Sequence, residues 1–153
     1  MPSFSTKRRV RHKTSDMFDL VADVDKYPQF VPLCSQLRVK RRTEKGEGAS
    51  VMVADMTVAY KVIQQTFTSR ITLDRPGLKI LVEYLDGPFS RMQNRWTFVP
   101  TGEGSCEVEF FIDYEFKSRT LAMLMGAMFD TAFRKFAVAF EKRADEIYGR
   151  KSA

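Results

Sequence analysis

The sequence predicts an α+β fold in which a curved antiparallel sheet of about seven strands surrounds one long C-terminal helix. Six segments within residues 34–116 have strand character and are separated by short turn sequences. Residues 118–148 have instead the apolar periodicity of a single helix of about 30 residues. A twisted sheet that must cover one helix curls into a half-open grip, and such a cleft commonly holds an internal pocket.

The chain before residue 34 is predicted to form one strand and two short helices. Residues 3–13 alternate weakly and are expected to form a first strand with a basic exposed side. Thr14 or Ser15 can cap the helix that follows. Pro28 and Pro32 then break that helix and favour a second short helix or turn, because proline cannot continue the helical hydrogen-bond pattern.

The strands after residue 34 are separated by glycine-containing turns at residues 45–48, 74–77, 86–88 and 101–105. The last two strands alternate most clearly, so their inward side chains can be named. On the sixth strand of the sheet these are Met92, Asn94, Trp96 and Phe98, and on the seventh they are Val108, Phe110, Ile112, Tyr114 and Phe116.

The C-terminal helix is predicted to begin after a Ser118 cap and to end at Gly149. At 100° per residue, the stripe that faces the sheet contains Leu121, Met125, Met128, Phe129, Ala132, Phe136, Ala139, Phe140 and Ile147. Met123 and Leu124 belong to the same apolar run but fall on the opposite, charged side of the helix. We interpret these two residues as a surface for a membrane or a partner.

With 153 residues, of which 44% are hydrophobic and 29% charged, the chain is predicted to form a single domain over residues 1–153. Its net charge of +6 suits nucleic acid, the ribosome or anionic lipid headgroups and does not choose among them. Aromatic residues do not interleave with the basic ones as a single-strand stacking platform requires, and no DNA partner is predicted.

The positive charge falls into two basic clusters, which would merge into one patch if their strands were adjacent. The first cluster is Lys7, Arg8, Arg9, Arg11 and Lys13, and the second is Arg38, Lys40, Arg41, Arg42 and Lys45. A merely solvated basic face is the alternative to a binding surface. The predicted membrane or partner surface consists of Lys7, Arg9, Arg11, Arg38, Lys40, Arg42, Met123 and Leu124.

The sequence offers no convincing catalytic or metal-binding set, so a non-enzymatic protein is predicted. His12 is the single histidine, and Cys34 and Cys106 lie 72 positions apart, which matches no metal or redox spacing. The two cysteines are therefore expected to be reduced thiols. Asn94 could hydrogen-bond a ligand carbonyl inside the cleft, and an enzyme that uses Asn94 or Tyr60 is the weakest alternative.

The sequence also predicts where the protein resides. No apolar run approaches the 18 residues or so that a transmembrane helix needs. Residues 1–13 have the charge of a signal peptide but lack its apolar region. We therefore expect a cytoplasmic protein that associates peripherally with membranes.

Two motifs extend this interpretation. "FDLVADVDKYPQFVPLC" at residues 18–34 and "DGPFSRMQNRWTF" at residues 86–98, followed by the closing amphipathic helix, resemble the coenzyme Q-binding family of START-like proteins. These are relatives of the polyketide cyclase/dehydrase group, and their bacterial branch includes the ribosome-association toxin. The resemblance implies a helix-grip (START-like, Bet v 1-like) fold with a hydrophobic tunnel between sheet and helix.

The resemblance further implies that the protein binds ubiquinone or a related isoprenoid lipid, as a carrier or chaperone that supports respiratory electron transport. No cofactor is required; ubiquinone would be the bound ligand. A ribosome-associated toxin that blocks subunit association and a polyketide cyclase-like enzyme are the alternatives. The predicted ligand-binding residues are Phe30, Val31, Phe67, Phe89, Met92, Asn94, Trp96, Phe98, Phe110, Leu124, Met125, Met128 and Phe129.

Overall fold

The computed structural model describes residues 3–149, which contain seven strands and three helical segments in the predicted order. The strands are β1 (Ser3–Val10), β2 (Cys34–Gly46), β3 (Ala49–Tyr60), β4 (Ile63–Asp74), β5 (Lys79–Asp86), β6 (Phe89–Gly102) and β7 (Ser105–Phe116). The helices are α1 (Thr14–Ala22), a 3-10 helix (Val24–Gln29) and α2 (Arg119–Tyr148). Residues 1–2 and 150–153 of the predicted domain lie outside the described residues.

All neighbouring strands pair antiparallel, in the order β1-β7-β6-β5-β4-β3-β2. The inner face of this sheet and α2 enclose the hydrophobic core. Every inward residue predicted on β6 and β7 is buried, because inward and outward side chains alternate along both strands. The predicted α+β helix-grip arrangement is therefore confirmed.

The chain departs from the prediction where β1 meets α1. The strand expected over residues 3–13 ends at Val10, because the chain turns there to bury His12. The Nε2 atom of His12 lies 2.7 Å from an Oδ1 atom of Asp145 on α2. The cap predicted at Thr14 or Ser15 is also wrong, since α1 begins at Thr14 and Lys13 precedes it without a side-chain cap.

The C-terminal helix has the predicted ends. The Ser118 hydroxyl oxygen accepts a hydrogen bond from the Leu121 amide at 3.1 Å, and the chain leaves the helix at Gly149 with φ of +82°. The expected place of Ile147 on the buried stripe is wrong: its side chain is 51% exposed. The last turn packs on α1 instead of the sheet, where the Tyr148 hydroxyl donates to the Asp16 carbonyl oxygen at 3.2 Å. The buried face of α2 therefore changes direction in this last turn.

An aromatic cluster centred on Phe89 ties the sheet to α2. Phe89 is fully buried, and its ring centroid lies 5.1 to 5.8 Å from five other rings. These rings come from four different elements and belong to Phe67, Tyr84, Tyr114, Phe116 and Phe129. Most of the contacts are edge-to-face, the geometry that aromatic quadrupoles favour.

The turn before Phe89 explains why glycine stands at position 87. Gly87 has φ of +144°, a conformation that residues with a side chain rarely adopt. A Cβ atom there would also lie 2.5 Å from the Cβ atom of Phe67. The next residue, Pro88, accepts a hydrogen bond from the Lys117 amide at 2.9 Å. The "GPF" motif therefore places Phe89 between β4 and β7.

Removal of the central ring should cost much of the protein's stability. We expect Phe89→Ala to lower the free energy of unfolding by about 3–5 kcal/mol, because it leaves a cavity among five rings. Phe111→Ala is the matched control on the outer face of β7, where the ring meets the Arg95 guanidinium, and should cost roughly 1 kcal/mol or less. Urea unfolding of both variants measures the difference, and equal losses would contradict it.

Candidate functional site

An internal cavity of about 70 Å³ lies between the inner face of the sheet and α2. Its wall comes from strands β2 to β7, the 3-10 helix, the loop at residues 32–33 and α2, and none of its residues is charged. The polar side chains on the wall are those of Tyr27, Ser69, Asn94 and Trp96. Such a surface suits an uncharged, largely apolar ligand.

The cavity is small for a ring-shaped ligand. Its volume of about 70 Å³ is less than half of the ~150 Å³ of an apolar protein cavity that accepts benzene. Met56 and Met92 lie on the wall, and the unbranched methionine side chain readily changes rotamer. A ring can therefore enter only as these side chains move.

A larger groove of about 630 Å³ adjoins the cavity. It is formed by the β3–β4 hairpin at residues 60–63 and by residues of α2 between 124 and 135. Pro32, Leu33 and Ala132 line both spaces and separate them. Leu33 holds a left-handed conformation with φ of +65°, and its carbonyl oxygen accepts a hydrogen bond from the Ala59 amide at 3.0 Å.

Exposed apolar side chains surround the mouth of this groove. Val62 at the tip of the hairpin is 99% exposed, and Leu124 on the facing helix is 61% exposed. Met123, beside Leu124, is 86% exposed. Lys61 and Lys135 line the same groove. The mouth thus combines apolar and cationic groups.

Most polar groups on the cavity wall are already engaged with the protein. Asn94 donates through Nδ2 to the Phe111 carbonyl oxygen at 2.9 Å, and its Oδ1 atom accepts from the Trp96 indole at 3.1 Å. The Tyr27 hydroxyl donates to the Val21 carbonyl oxygen. Burial raises the pKa of Tyr27 far above its ordinary value, so this hydroxyl stays protonated. The Ser69 hydroxyl is buried without a partner.

The structure brings five of the predicted ligand-binding residues to the cavity wall: Phe67, Met92, Asn94, Trp96 and Phe129. Leu124 and Met128 line the outer groove instead of the inner cavity. Leu124 thereby lies with Met123 on the exposed surface, at the groove and not in the inner cavity.

The remaining predicted ligand-binding residues pack elsewhere in the core and do not line the cavity. Phe89 and Met125 are buried in the region where α2 packs on the end of the sheet. Phe98 meets Phe18 of α1, and Phe110 packs between Phe4 and Phe136. Val31 is buried near the 3-10 helix, while Phe30 is half-buried against Tyr27 and Phe140. An inward position on a strand defines core, and the cavity occupies only part of it.

Several wall residues escaped the sequence interpretation. On β3 these are Ala54, Met56 and Val58, because "SVMVADMTVAY" carries apolar residues on both faces and its alternation does not indicate which side is inner. Leu33 lies in an irregular loop, where spacing gives no orientation. Tyr27 could have been predicted as a wall residue, because it lies with Pro28 in the first of the two motifs, at residues 18–34.

The two basic clusters do not merge, because the strands that carry them are not adjacent. The first lies on or just after β1 and the second on β2, and these strands form opposite edges of the seven-stranded sheet. Part of each cluster is paired with acidic groups. Lys7 lies 3.9 Å from Glu109, Lys40 lies 4.0 Å from Asp55, and Arg42 lies 2.5 Å from Asp25. The side chains of Arg9, Arg11 and Arg38 are exposed.

Asn94 lines the cavity wall, whereas His12, Tyr60 and the two cysteines lie away from it. His12 binds Asp145, and Tyr60 is at the groove, 43% exposed. Cys34 and Cys106 are free and buried, and burial raises the pKa of both thiols to about 11. Within residues 3–149, no group of three or more His, Cys, Asp or Glu side chains could hold a metal ion.

Comparison with known proteins agrees with this architecture. The model of the family "Polyketide cyclase / dehydrase and lipid transport" matches residues 10–141. The chain belongs to this family. The predicted kinship with the polyketide cyclase/dehydrase group is thereby confirmed.

The relatives carry two kinds of name. The ribosome association toxin RatA of Vibrio cholerae is 34% identical over 97% of this chain and 99% of its own length. The mitochondrial coenzyme Q-binding protein COQ10 homolog B of Xenopus laevis is 30% identical over 97% of this chain and 60% of its own length. The solution structure of an 18 kDa protein from Caulobacter crescentus is 33% identical, has a TM-score of 0.78 and covers 97% of this chain and 99% of that one.

Among the described residues, no helix has both the length and the apolar content needed to cross a bilayer.

The buried thiols give a pH-dependent prediction. Burial raises the pKa of both thiols from 9.0 to about 11, so the folded state favours the protonated form. The resulting contribution to stability is complete below about pH 9 and is lost as the pH rises towards 11. At pH 8 the thiolate population should be about a hundredfold below that of an exposed cysteine. A disulfide reagent should therefore label the native protein far more slowly than the protein in urea. Rapid labelling of both thiols in the native state would contradict this.

Proposed function

We propose that the protein binds ubiquinone, or a closely related isoprenoid quinone, and carries it in support of respiratory electron transport. The observation that carries the proposal is an uncharged apolar cavity that adjoins a wide groove with an apolar mouth. The name of the Xenopus relative, a coenzyme Q-binding protein, supports the choice of ligand. A carrier needs no catalytic group at the ligand, and no residue on the cavity wall is charged.

Burial of the ligand's apolar surface would supply most of the affinity. At about 25 cal/mol per Å², each 200 Å² or so of isoprenoid tail removed from water contributes about 5 kcal/mol before the entropic cost of association. The groove of about 630 Å³ offers the space for such a tail, whereas the cavity of about 70 Å³ does not. A strong polar contact is not needed for binding.

The mouth of the groove suits contact with an anionic membrane. Val62, Met123 and Leu124 would enter the headgroup region, while Lys61 and Lys135 would meet lipid phosphates. A quinone could then pass between bilayer and groove with little exposure to water. The sequence predicts peripheral membrane association, and these residues would provide the contact with the membrane.

Lipid extraction and binding test the ligand. Mass spectrometry of the lipid that co-purifies with the protein should identify a quinone. Added ubiquinone should quench the fluorescence of Trp96 saturably, because this is the single tryptophan of the chain and it lies on the cavity wall. Absence of both co-purified quinone and saturable quenching would refute the proposal.

Removal of the apolar rim should weaken membrane binding. We expect the double variant Met123→Gln, Leu124→Gln to bind vesicles of phosphatidylcholine and phosphatidylglycerol about tenfold less tightly, because two apolar side chains no longer enter the bilayer. Val138→Gln is the matched control, since Val138 is an exposed apolar residue of the same helix, about 21 Å further along. Vesicle flotation measures the binding of both variants. An equal loss of vesicle binding in the control would contradict a specific role for Met123 and Leu124.

Ribosome association is the second candidate function, and the relatives named RatA favour it. Exposed arginine on β2 would then contact ribosomal RNA phosphates. Arg38→Gln should lower the salt dependence of ribosome binding by about one unit of log affinity per log salt, whereas Lys142→Gln on α2, with the same change of charge, should not. Sedimentation of ribosomes at several salt concentrations measures this. Unchanged subunit profiles at low salt would remove the candidate.

A further inference from the structure

The cavity wall contains one hydroxyl that the protein itself leaves unused. Ser69 on β4 is 5% exposed, and its Oγ atom is buried without a hydrogen-bond partner. Native structures rarely leave a buried polar atom in this state, because its hydrogen bonds to water are lost and nothing replaces them. Ser69 also lines the cavity, so its hydroxyl is available to whatever occupies that space.

The side chains next to Ser69 are apolar, and one of them is small. Ala54 stands directly opposite on β3 and also lines the cavity, and its side chain is a single methyl group. Phe67 and Ile71 flank Ser69 on the same face of β4. The hydroxyl therefore has apolar neighbours, and a planar group that carries an oxygen at its edge can reach it once Met56 and Met92 move.

Ser69 lies well inside the site, away from the mouth of the groove. Ile63, at the start of the strand, lines the outer groove. Six residues at about 3.3 Å each place Ser69 about 20 Å farther along the sheet. The other polar wall groups, Tyr27, Asn94 and Trp96, already have protein partners. The unused hydroxyl is thus far from the mouth of the groove.

We infer that Ser69 is the anchor for a carbonyl or ether oxygen of the ligand, which binds with its oxygen-bearing end innermost and its hydrocarbon tail in the groove. The Ser69 hydroxyl donates the hydrogen bond, and the ligand oxygen accepts it. This inference rests on the proposed lipid-binding function and deepens it: the site selects an apolar molecule with an oxygen acceptor at one end over a plain hydrocarbon. Ser69 is a specificity-determining residue of this site.

The test compares Ser69→Ala with the wild-type protein. Calorimetric titration uses three probes: a ubiquinone with one isoprene unit, an alkylbenzene of the same length without oxygen, and a long-chain methyl ketone. We expect Ser69→Ala to bind the two oxygenated probes about three- to tenfold more weakly and the alkylbenzene equally well. Ser90→Ala is the control, since the Ser90 hydroxyl donates to the Glu115 carbonyl oxygen on the surface and does not line the cavity.

Two further measurements exclude a merely structural effect of the Ser69→Ala substitution. The substitution removes an unpartnered hydroxyl, so the thermal unfolding temperature of Ser69→Ala should equal or exceed that of the wild type. In the infrared spectrum, the carbonyl band of the bound probe should lie at lower frequency in the wild type than in Ser69→Ala, because a hydrogen bond weakens the C=O bond. Equal carbonyl bands in the two proteins, or equal affinity losses for oxygenated and plain probes, would overturn the inference.

The outcomes for ligand and anchor are distinguishable. Equal wild-type affinity for ubiquinone and alkylbenzene would refute the anchor and leave lipid binding in place. Ser69-dependent binding of the ketone without binding of ubiquinone would refute the quinone proposal and support the anchor. Saturable binding of none of the three probes would overturn both.

Discussion

The packing of Phe89 against rings from β4, β5, β7 and α2 is the interaction on which the rest of the domain depends. It joins β6 to four other elements, and the Gly87 turn makes it possible by letting the backbone pass close to Phe67. Phe67 and Phe129 belong to this cluster and also to the cavity wall. The packing that holds the helix on the sheet therefore also fixes two walls of the site.

The site itself follows from a division of polarity along the inner face of the sheet. At the inner end, Asn94 and Trp96 hydrogen-bond each other and the sheet backbone, so they add rigidity without creating a polar surface. Towards the hairpin at residues 60–63 the groove is lined mainly by apolar side chains, together with Lys61 and Lys135. A ligand with an oxygen at one end and a hydrocarbon tail at the other matches this order. The small inner cavity makes the flexible methionines Met56 and Met92 part of any binding event.

Sequence patterns predicted the fold wherever one face of an element was clearly apolar. The strict alternation on β7 and the capped periodic helix α2 gave correct elements, and the turns fell where glycine was expected. Patterns could not predict which strands become neighbours, and so the two basic clusters proved to lie at opposite edges. Nor could they separate cavity wall from solid core: Phe98 and Trp96 share one face, but only Trp96 reaches the cavity. The difference arises from the helices that pack on this strand, since Phe98 contacts Phe18 of α1 whereas Trp96 contacts Phe140 of α2.

The strand order gives the basic residues a second consequence. Three of the eight residues of β1 and five of the thirteen of β2 are lysine or arginine, and these are the two edge strands of the sheet. An edge strand can pair with the edge of another molecule, and lysine and arginine oppose this because pairing would bring like charges together and strip them of water. The positive charge thus lies where it protects a protein with an apolar mouth from forming intermolecular sheets. Resistance to aggregation is, for this fold, a property of its two outermost strands.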